Sequence, residues 1–230
     1  MLQAAHPRAS TLGRAARAVF VTCLVLASAA LGLPALGDPG LAPLEDRVQW
    51  ISLERELVAV DSRGGGTHSA PLGVGERVLR AAVDGEIGVA LTTRRLLAVT
   101  ASTGGVHAEA LGPGERVVTG PELGDRVALA VTTRRVLGFD GGSGNWVAAS
   151  LGPHERVTAV AVANHVAALT TDRRALGLSP VRGGFFEATL GLQEAPITLG
   201  ASGDLATVRT RVRLLIFRAS GARWSERSLR

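Results

Sequence analysis

From residue 78 onward the chain alternates short apolar runs with clusters of Gly, Asp, Ser and Thr. The run at 78–83 ends at Asp84-Gly85-Glu86. A second run covers 87–92, where Gly88 and Ala90 alternate with Val89 and Leu91. A third occupies 96–100 and a fourth 106–111, with the turn Ala-Ser-Thr-Gly-Gly between them. Period-two alternation bounded by turn formers predicts β-strands. Outside the first forty residues, no segment carries a long apolar stripe of 3.6-residue period, so helical solenoids are not expected.

The same pattern returns at a fixed step. Leu72-Gly73, Leu111-Gly112, Leu151-Gly152 and Leu190-Gly191 are 39, 40 and 39 residues apart, and each is followed by Glu76, Glu115, Glu155 or Glu194. Pairs of basic residues end at Arg95, Arg135, Arg174 and Arg213, spaced by 40, 39 and 39. A third column is large and mostly aromatic: Val106, Trp146, Phe185 and Trp224. Three independent columns holding one step define a repeat. The units run approximately 47–72, 73–111, 112–151, 152–190 and 191–230. The first carries Glu54-Arg55-Glu56 where the others place Thr and Arg, and its innermost strand falls on the poor strand sequence of 38–44.

Four strands in about forty residues is the blade of a β-propeller, and the unit length and strand order resemble the WD40 superfamily over residues 47–230. The Gly-His and Trp-Asp dipeptides of that family have no counterpart here. The fold class expected is all-β: a β-propeller of about five four-stranded blades, the first incomplete. Radial closure is favoured over an open row because it leaves only short sheet edges exposed.

In this strand order the fourth-to-first link carries Glu76, Glu115, Glu155 and Glu194, and the second-to-third link carries the Arg pairs. Both links reach one end of the sheets. WD40 blades tie these links by a side-chain network, and the resemblance implies that Glu with Arg and Thr replaces it here. A bidentate Arg–carboxylate pair is directional and tolerates partial burial. The first arginine column, Arg94, Arg134 and Arg173, gives way to Val212, whereas the second keeps Arg95, Arg135, Arg174 and Arg213. The structural latch is therefore assigned to the second column with the four glutamates.

The alternative is a basic ring that binds an acidic partner. Neutralisation by the Glu column, the absence of Tyr and the scarcity of aromatics argue against nucleic acid. Repeated pockets for sugars remain a second reading, because many weak sites gain avidity. Trp146, Phe185 and Trp224 are then either sugar-stacking faces or packing between blades.

The N-terminal pattern is different. Arg8, Arg14 and Arg17 precede an apolar run over 18–37 that ends in Ala35-Leu36-Gly37, and no acid precedes Asp38. A positive region, an apolar region and a small-residue ending read as a secretory signal peptide over 1–37, with a short leader at 38–46. The same twenty apolar residues are also long enough for a membrane anchor through 18–37. The formal charge of +5 misleads. All 25 basic residues are arginine; three precede residue 38 and none of the 20 acids does, leaving 22 against 20. Cys23 is the only cysteine, so the cleaved chain folds without disulfides. A secreted or periplasmic location follows, without membrane contact after cleavage.

Sites for chemistry are not legible. His68, His107, His154 and His165 do not all recur in one column, and none has a second His or Cys at metal-ligand spacing. Gly64-Gly65-Gly66 lacks the lysine and helix of a phosphate loop. Asp84, Asp125, Asp140, Asp172 and Asp204 fall mostly at turns, as turn formers do. No nucleophile elbow is present. The expectation is a non-catalytic, cofactor-free, monomeric scaffold in the envelope or outside the cell. It binds a protein partner, or alternatively a glycan; a glycoside-active enzyme is a distant third.

Overall fold

The computed structural model describes residues 46–62 and 64–229. The signal segment, most of the leader and the candidate inner strand at 38–44 lie outside the described residues. Among the described residues nineteen strands form five antiparallel sheets. The first sheet has three: β1 (Val48–Ser52), β2 (Glu56–Asp61) and β3 (Thr67–Pro71). The second holds β4 (Val78–Asp84), β5 (Ile87–Thr92), β6 (Arg95–Thr100) and β7 (Val106–Ala110). The third holds β8 (Val117–Leu123), β9 (Val127–Thr132), β10 (Arg135–Asp140) and β11 (Asn145–Ser150). The fourth holds β12 (Val157–Ala163), β13 (Val166–Thr171), β14 (Arg174–Ser179) and β15 (Gly184–Thr189). The fifth holds β16 (Pro196–Ser202), β17 (Leu205–Thr210), β18 (Arg213–Arg218) and β19 (Arg223–Ser228). These are the blades of a β-propeller, with strands where the alternation places them.

Each sheet is a meander in sequence order, so every neighbouring pair is joined by a short hairpin. The first strand of each four-stranded sheet breaks register near its start, as at Val78/Arg80, Val117/Thr119, Val157/Ala159 and Pro196/Thr198. Bulges of this kind raise the local twist of an edge strand. The middle strands β9, β10, β13 and β14 are apolar and buried on nearly every residue because another sheet covers each side.

Consecutive sheets interlock by size. The middle of β2, β6, β10 or β14 presents Ala59, Ala98, Gly138 or Gly177 to the following sheet, which inserts Val99, Phe139, Leu178 or Phe217. A Cβ on Gly177 would lie 2.5 Å from the Phe217 ring, so the site admits only glycine without movement. Polar bonds cross the same junctions. Thr100 Oγ1 donates to the carbonyl of Gly141 at 2.7 Å, and Ser179 Oγ to that of Ala219 at 2.6 Å.

Every buried apolar cluster among the described residues joins two consecutive sheets, and none joins the fifth to the first. The expected radial closure is therefore not found among the described residues. The outward face of the fifth sheet exposes Thr207, Arg209, Arg218, Ser225 and Arg227. Four of the corresponding positions of the third sheet are apolar and covered: Leu129 and Val131 are buried, and Val147 and Ala149 pack against the core, while Asp140, buried, stands where Arg218 does. At the small-residue position the fifth sheet carries Ile216.

Candidate functional site

The repeated columns meet at one end of the sheets. In the second unit the turn after Leu72 brings Glu76 back over its own start, and the amide of Gly73 donates to Glu76 Oε2 at 2.8 Å. Thr92, the last residue of β5, donates to Oε1 at 2.7 Å. Arg95, the first residue of β6, completes the pair: Nε to Oε1 at 2.9 Å and Nη2 to Oε2 at 3.2 Å. The same Nη2 also donates to the carbonyl of Pro71, in the preceding sheet, at 2.6 Å. One guanidinium thus holds its own strand, the incoming link and the outer strand of the sheet before.

The arrangement recurs. Glu115 accepts from Gly112, Thr132 and Arg135 at 2.8, 2.7 and 2.9 Å. Glu155 accepts from Gly152 and from Arg174 Nε, both at 2.8 Å. Glu194 accepts from Gly191, Thr210 and Arg213 at 3.0, 2.8 and 2.8 Å. The reach to the preceding sheet is kept by Arg135 to Ala110, Arg174 to Ser150 and Arg213 to Thr189. The glutamate side chains are only 3–7% exposed.

Burial by itself pushes Glu115 up, yet the hydrogen bonds from Arg135, Gly112 and Thr132 outweigh it and hold the carboxyl at about 2. For Glu194 the Arg213 hydrogen bond is the largest influence, and its pKa is also about 2. Glu76 and Glu155 are lowered against the same burial, by Arg95 and Arg174 first among the hydrogen bonds. Arg135, Arg174 and Arg213 are raised by their glutamates. All four carboxylates are charged and saturated with donors, which suits them to holding chain segments rather than moving protons.

The first arginine column has a different place. Arg94, Arg134 and Arg173 are exposed, and Arg94 and Arg173 donate to the carbonyls of Val74 and Pro153 at 2.6 and 3.1 Å. The turn tips beside them carry Val74, Pro113, Pro153 and Leu192, all exposed, with Val74 and Leu192 at 94% and 107%. Over the buried Glu–Thr–Arg layer the structure therefore sets a repeated outer layer of apolar tips and arginines.

The aromatic column lies between sheets. Trp146 packs on Phe139 with ring centroids 5.1 Å apart and donates Nε1 to the carbonyl of His107 in the preceding sheet at 3.1 Å. Trp224 does the same with Phe217 and Phe186, at 5.1 and 2.9 Å. Phe185 packs into the core between the third and fourth sheets. Their ring faces are turned to neighbouring side chains.

Sequence reasoning missed the opposite end of the sheets. There Arg47 pairs with Glu86, and Arg126 Nε lies 3.0 Å from the same carboxylate. Burial, then Asp46 and Asp125, raise Asp84. A cleft of about 410 Å³ opens there, lined by Arg126, Asp140, His165, Val181 and Asp204. The signal was available in part: Arg47, Glu86, Arg126, His165 and Asp204 stand at the repeat step, and the first three alternate in charge. No group of three or more metal-ligating side chains occurs among the described residues.

No family model and no curated protein matches the sequence. Solved structures match in fold. Human WBSCR16 is 12% identical, with 71% of this chain and 56% of that one covered and a TM-score of 0.40. PorZ, an essential surface component of the type-IX secretion system of Porphyromonas gingivalis, is 12% identical, with 81% and 27% covered and a TM-score of 0.37. Apo AztD from Citrobacter koseri is 12% identical, with 79% and 59% covered and a TM-score of 0.35. The chain spans less than two thirds of the length of each. In fold, the chain is an all-β array of β-propeller-type blades, each an antiparallel meander.

Proposed function

We propose that the protein is an exported, non-catalytic scaffold of propeller blades that holds a partner protein against the latch end of its sheets. The observation that carries this reading is the outer layer at that end: Val74, Pro113, Pro153 and Leu192 recur in register beside Arg94, Arg134 and Arg173, all exposed. Arginine and apolar side chains on a rigid base suit a protein contact. The charged column beneath is spent on the latch and does not compete for the partner. Export rests on the charge and apolar pattern of residues 1–37.

Two measurements test the reading. Intact mass of the protein recovered outside the exporting cell should begin at Asp38; a full-length, membrane-embedded chain contradicts export. Cross-linking followed by affinity capture from the same cells should recover a partner with the wild type and lose it with Val74→Asp combined with Leu192→Asp. Capture unchanged by these substitutions places the contact elsewhere, and binding on a glycan array without any captured protein contradicts the scaffold reading.

A further inference from the structure

Two charged columns cross each junction between consecutive sheets. The first is the residue just before the second strand of each unit: Arg47, Glu86, Arg126, His165 and Asp204. Its backbone amide donates to the hairpin turn of the next sheet, as in Arg47 to Gly85 at 2.8 Å, Glu86 to Asp125 at 3.0 Å, Arg126 to Asn164 at 2.9 Å and His165 to Gly203 at 3.0 Å. At the first two junctions its side chain meets the next member of the column, Arg47 with Glu86 and Glu86 with Arg126, whereas His165 reaches back to Asp125 at 3.6 Å. The second column is the latch position itself: Glu56, Arg95, Arg135, Arg174 and Arg213. It reaches back to the outer strand of the preceding sheet, where the register position is Ala70, Glu109, Ala149, Ala188 or Arg227. At the second-to-third junction this yields an ion pair, Arg135 Nη1 to Glu109 Oε1 at 2.6 Å.

Both columns reach complementary charges at the two faces that no other described sheet covers. Asp204 and Arg227 stand at the outgoing face of the fifth sheet, and Arg47 and Glu56 belong to the first. In the register of an internal junction, Asp204 would meet Arg47 as Glu86 meets Arg126. The dipeptide Asp46-Arg47 even repeats Asp125-Arg126. Arg227 would meet Glu56 as Glu109 meets Arg135, with the sign exchanged on both sides. Glu56 is the one acid in a column of arginines, and Arg227 is the one arginine in its own column. The two exceptions face each other only if the fifth sheet is followed by a first.

The apolar and polar positions agree. The inserting column is Val60, Val99, Phe139, Leu178 and Phe217, so the first sheet brings a short side chain, and the fifth sheet opposes it with Ile216 instead of Ala or Gly. Thr67 stands where Trp224 stands in its unit, opposite Ser225, and both are small. Arg218 occupies the position from which Thr100 and Ser179 donate to the next sheet's carbonyl, which in the first sheet is that of Ser62. Arg209, Arg218, Arg223 and Arg227 make no side-chain hydrogen bond or ion pair among the described residues. Arg218 and Arg223 are directly opposed in the register, an arrangement that costs energy unless an acceptor or acid intervenes. With Arg209, Arg218, Arg223 and Arg227 against the single acid Asp204, this face is predominantly basic and disfavours pairing with a copy of itself.

We propose that the outgoing face of the fifth sheet docks on the first sheet of a second copy of this chain, head to tail, with Asp204–Arg47 and Arg227–Glu56 as the crossing pairs. Such a heterologous joint propagates or closes into a ring of copies. It replaces the monomer expected from sequence.

The test uses the full chain in sedimentation velocity over a concentration series. Wild type should associate by mass action, less so at high salt because the crossing pairs are screened. Arg227→Glu alone and Glu56→Arg alone should each weaken association about tenfold or more, since each places like charges in contact. An equimolar mixture of the two variants, and the chain carrying both, should recover it. Circular dichroism melting shows that each variant is folded. A single monomeric species at all concentrations, including a ring closed on its own first sheet, overturns the proposal. So does association that both single variants leave unchanged, or that the mixture fails to recover.

Discussion

Glu115 and Arg135, twenty residues apart in the chain, are joined by two hydrogen bonds, Nε to Oε1 at 2.9 Å and Nη2 to Oε2 at 3.3 Å. The same guanidinium reaches the carbonyl of Ala110 in the preceding sheet at 2.7 Å. The pair is therefore a fastening between blades, because Ala110 ends the outer strand of one sheet and Arg135 begins a strand of the next. Its recurrence at Glu76, Glu155 and Glu194 makes it the main polar element of the repeat.

The depressed carboxyls set an acid limit. A group whose pKa falls from 4.5 to about 2 on folding, as for Glu115 and Glu194, contributes stability that is complete above its unfolded value and is lost as pH falls through the folded one. The sign is positive with rising pH. Stability should be level above pH ~5 and fall between pH ~4.5 and ~2, on the order of a few kcal/mol per latch. Urea midpoints across that range check this; a midpoint that rises on acidification contradicts it.

Interlocking by size makes a second prediction. Gly177→Val places a branched side chain where a single Cβ already meets the Phe217 ring at 2.5 Å. Overpacking of this kind costs about 1–3 kcal/mol. Gly200→Ala, whose nearest neighbour would be Thr207 Oγ1 at 3.7 Å, should change stability by about 0.5 kcal/mol or less. Thermal melts of the two variants separate the effects.

Much of this was legible in the sequence. Period-two runs and turn residues placed the strands of the second unit within about two residues, because each strand is bounded by Gly, Asp or the Thr-Arg turn. The latch columns were legible because one charge pair repeats where two links converge. The expected closure of the ring is not found among the described residues. The step of 39 or 40 residues reports what one unit contains, not the angle between units. Ile216, Arg209 and Arg218, on the outgoing face of the fifth sheet, differ from their columns only in that unit. The ion pairs at the opposite end were hidden because Arg47, Glu86 and Arg126 change identity at every step.

Among the described residues each sheet packs only on its neighbours in sequence, which has a consequence for deletion. Removing residues 112–151 rejoins Leu111 to Gly152, a junction of the native type. A closed ring would break at several interfaces, whereas an array whose units touch only their neighbours shortens and stays folded. The shortened chain should be soluble, with β-type circular dichroism and a lower melting temperature. Insoluble protein would indicate that closure is needed for folding.

The most direct test of the latch is a double-mutant cycle on Glu115 and Arg135, read by urea titration, with Arg134→Ala as the control. Arg135→Ala should cost about 1–3 kcal/mol because it leaves a buried carboxylate short of donors. Arg134→Ala should cost about 0.5 kcal/mol or less, as for an exposed side chain. The Glu115→Ala and Arg135→Ala effects should fall short of additivity by about 1–3 kcal/mol. Additive effects, with Arg134→Ala and Arg135→Ala equal, would contradict the account and return both arginines to solvent.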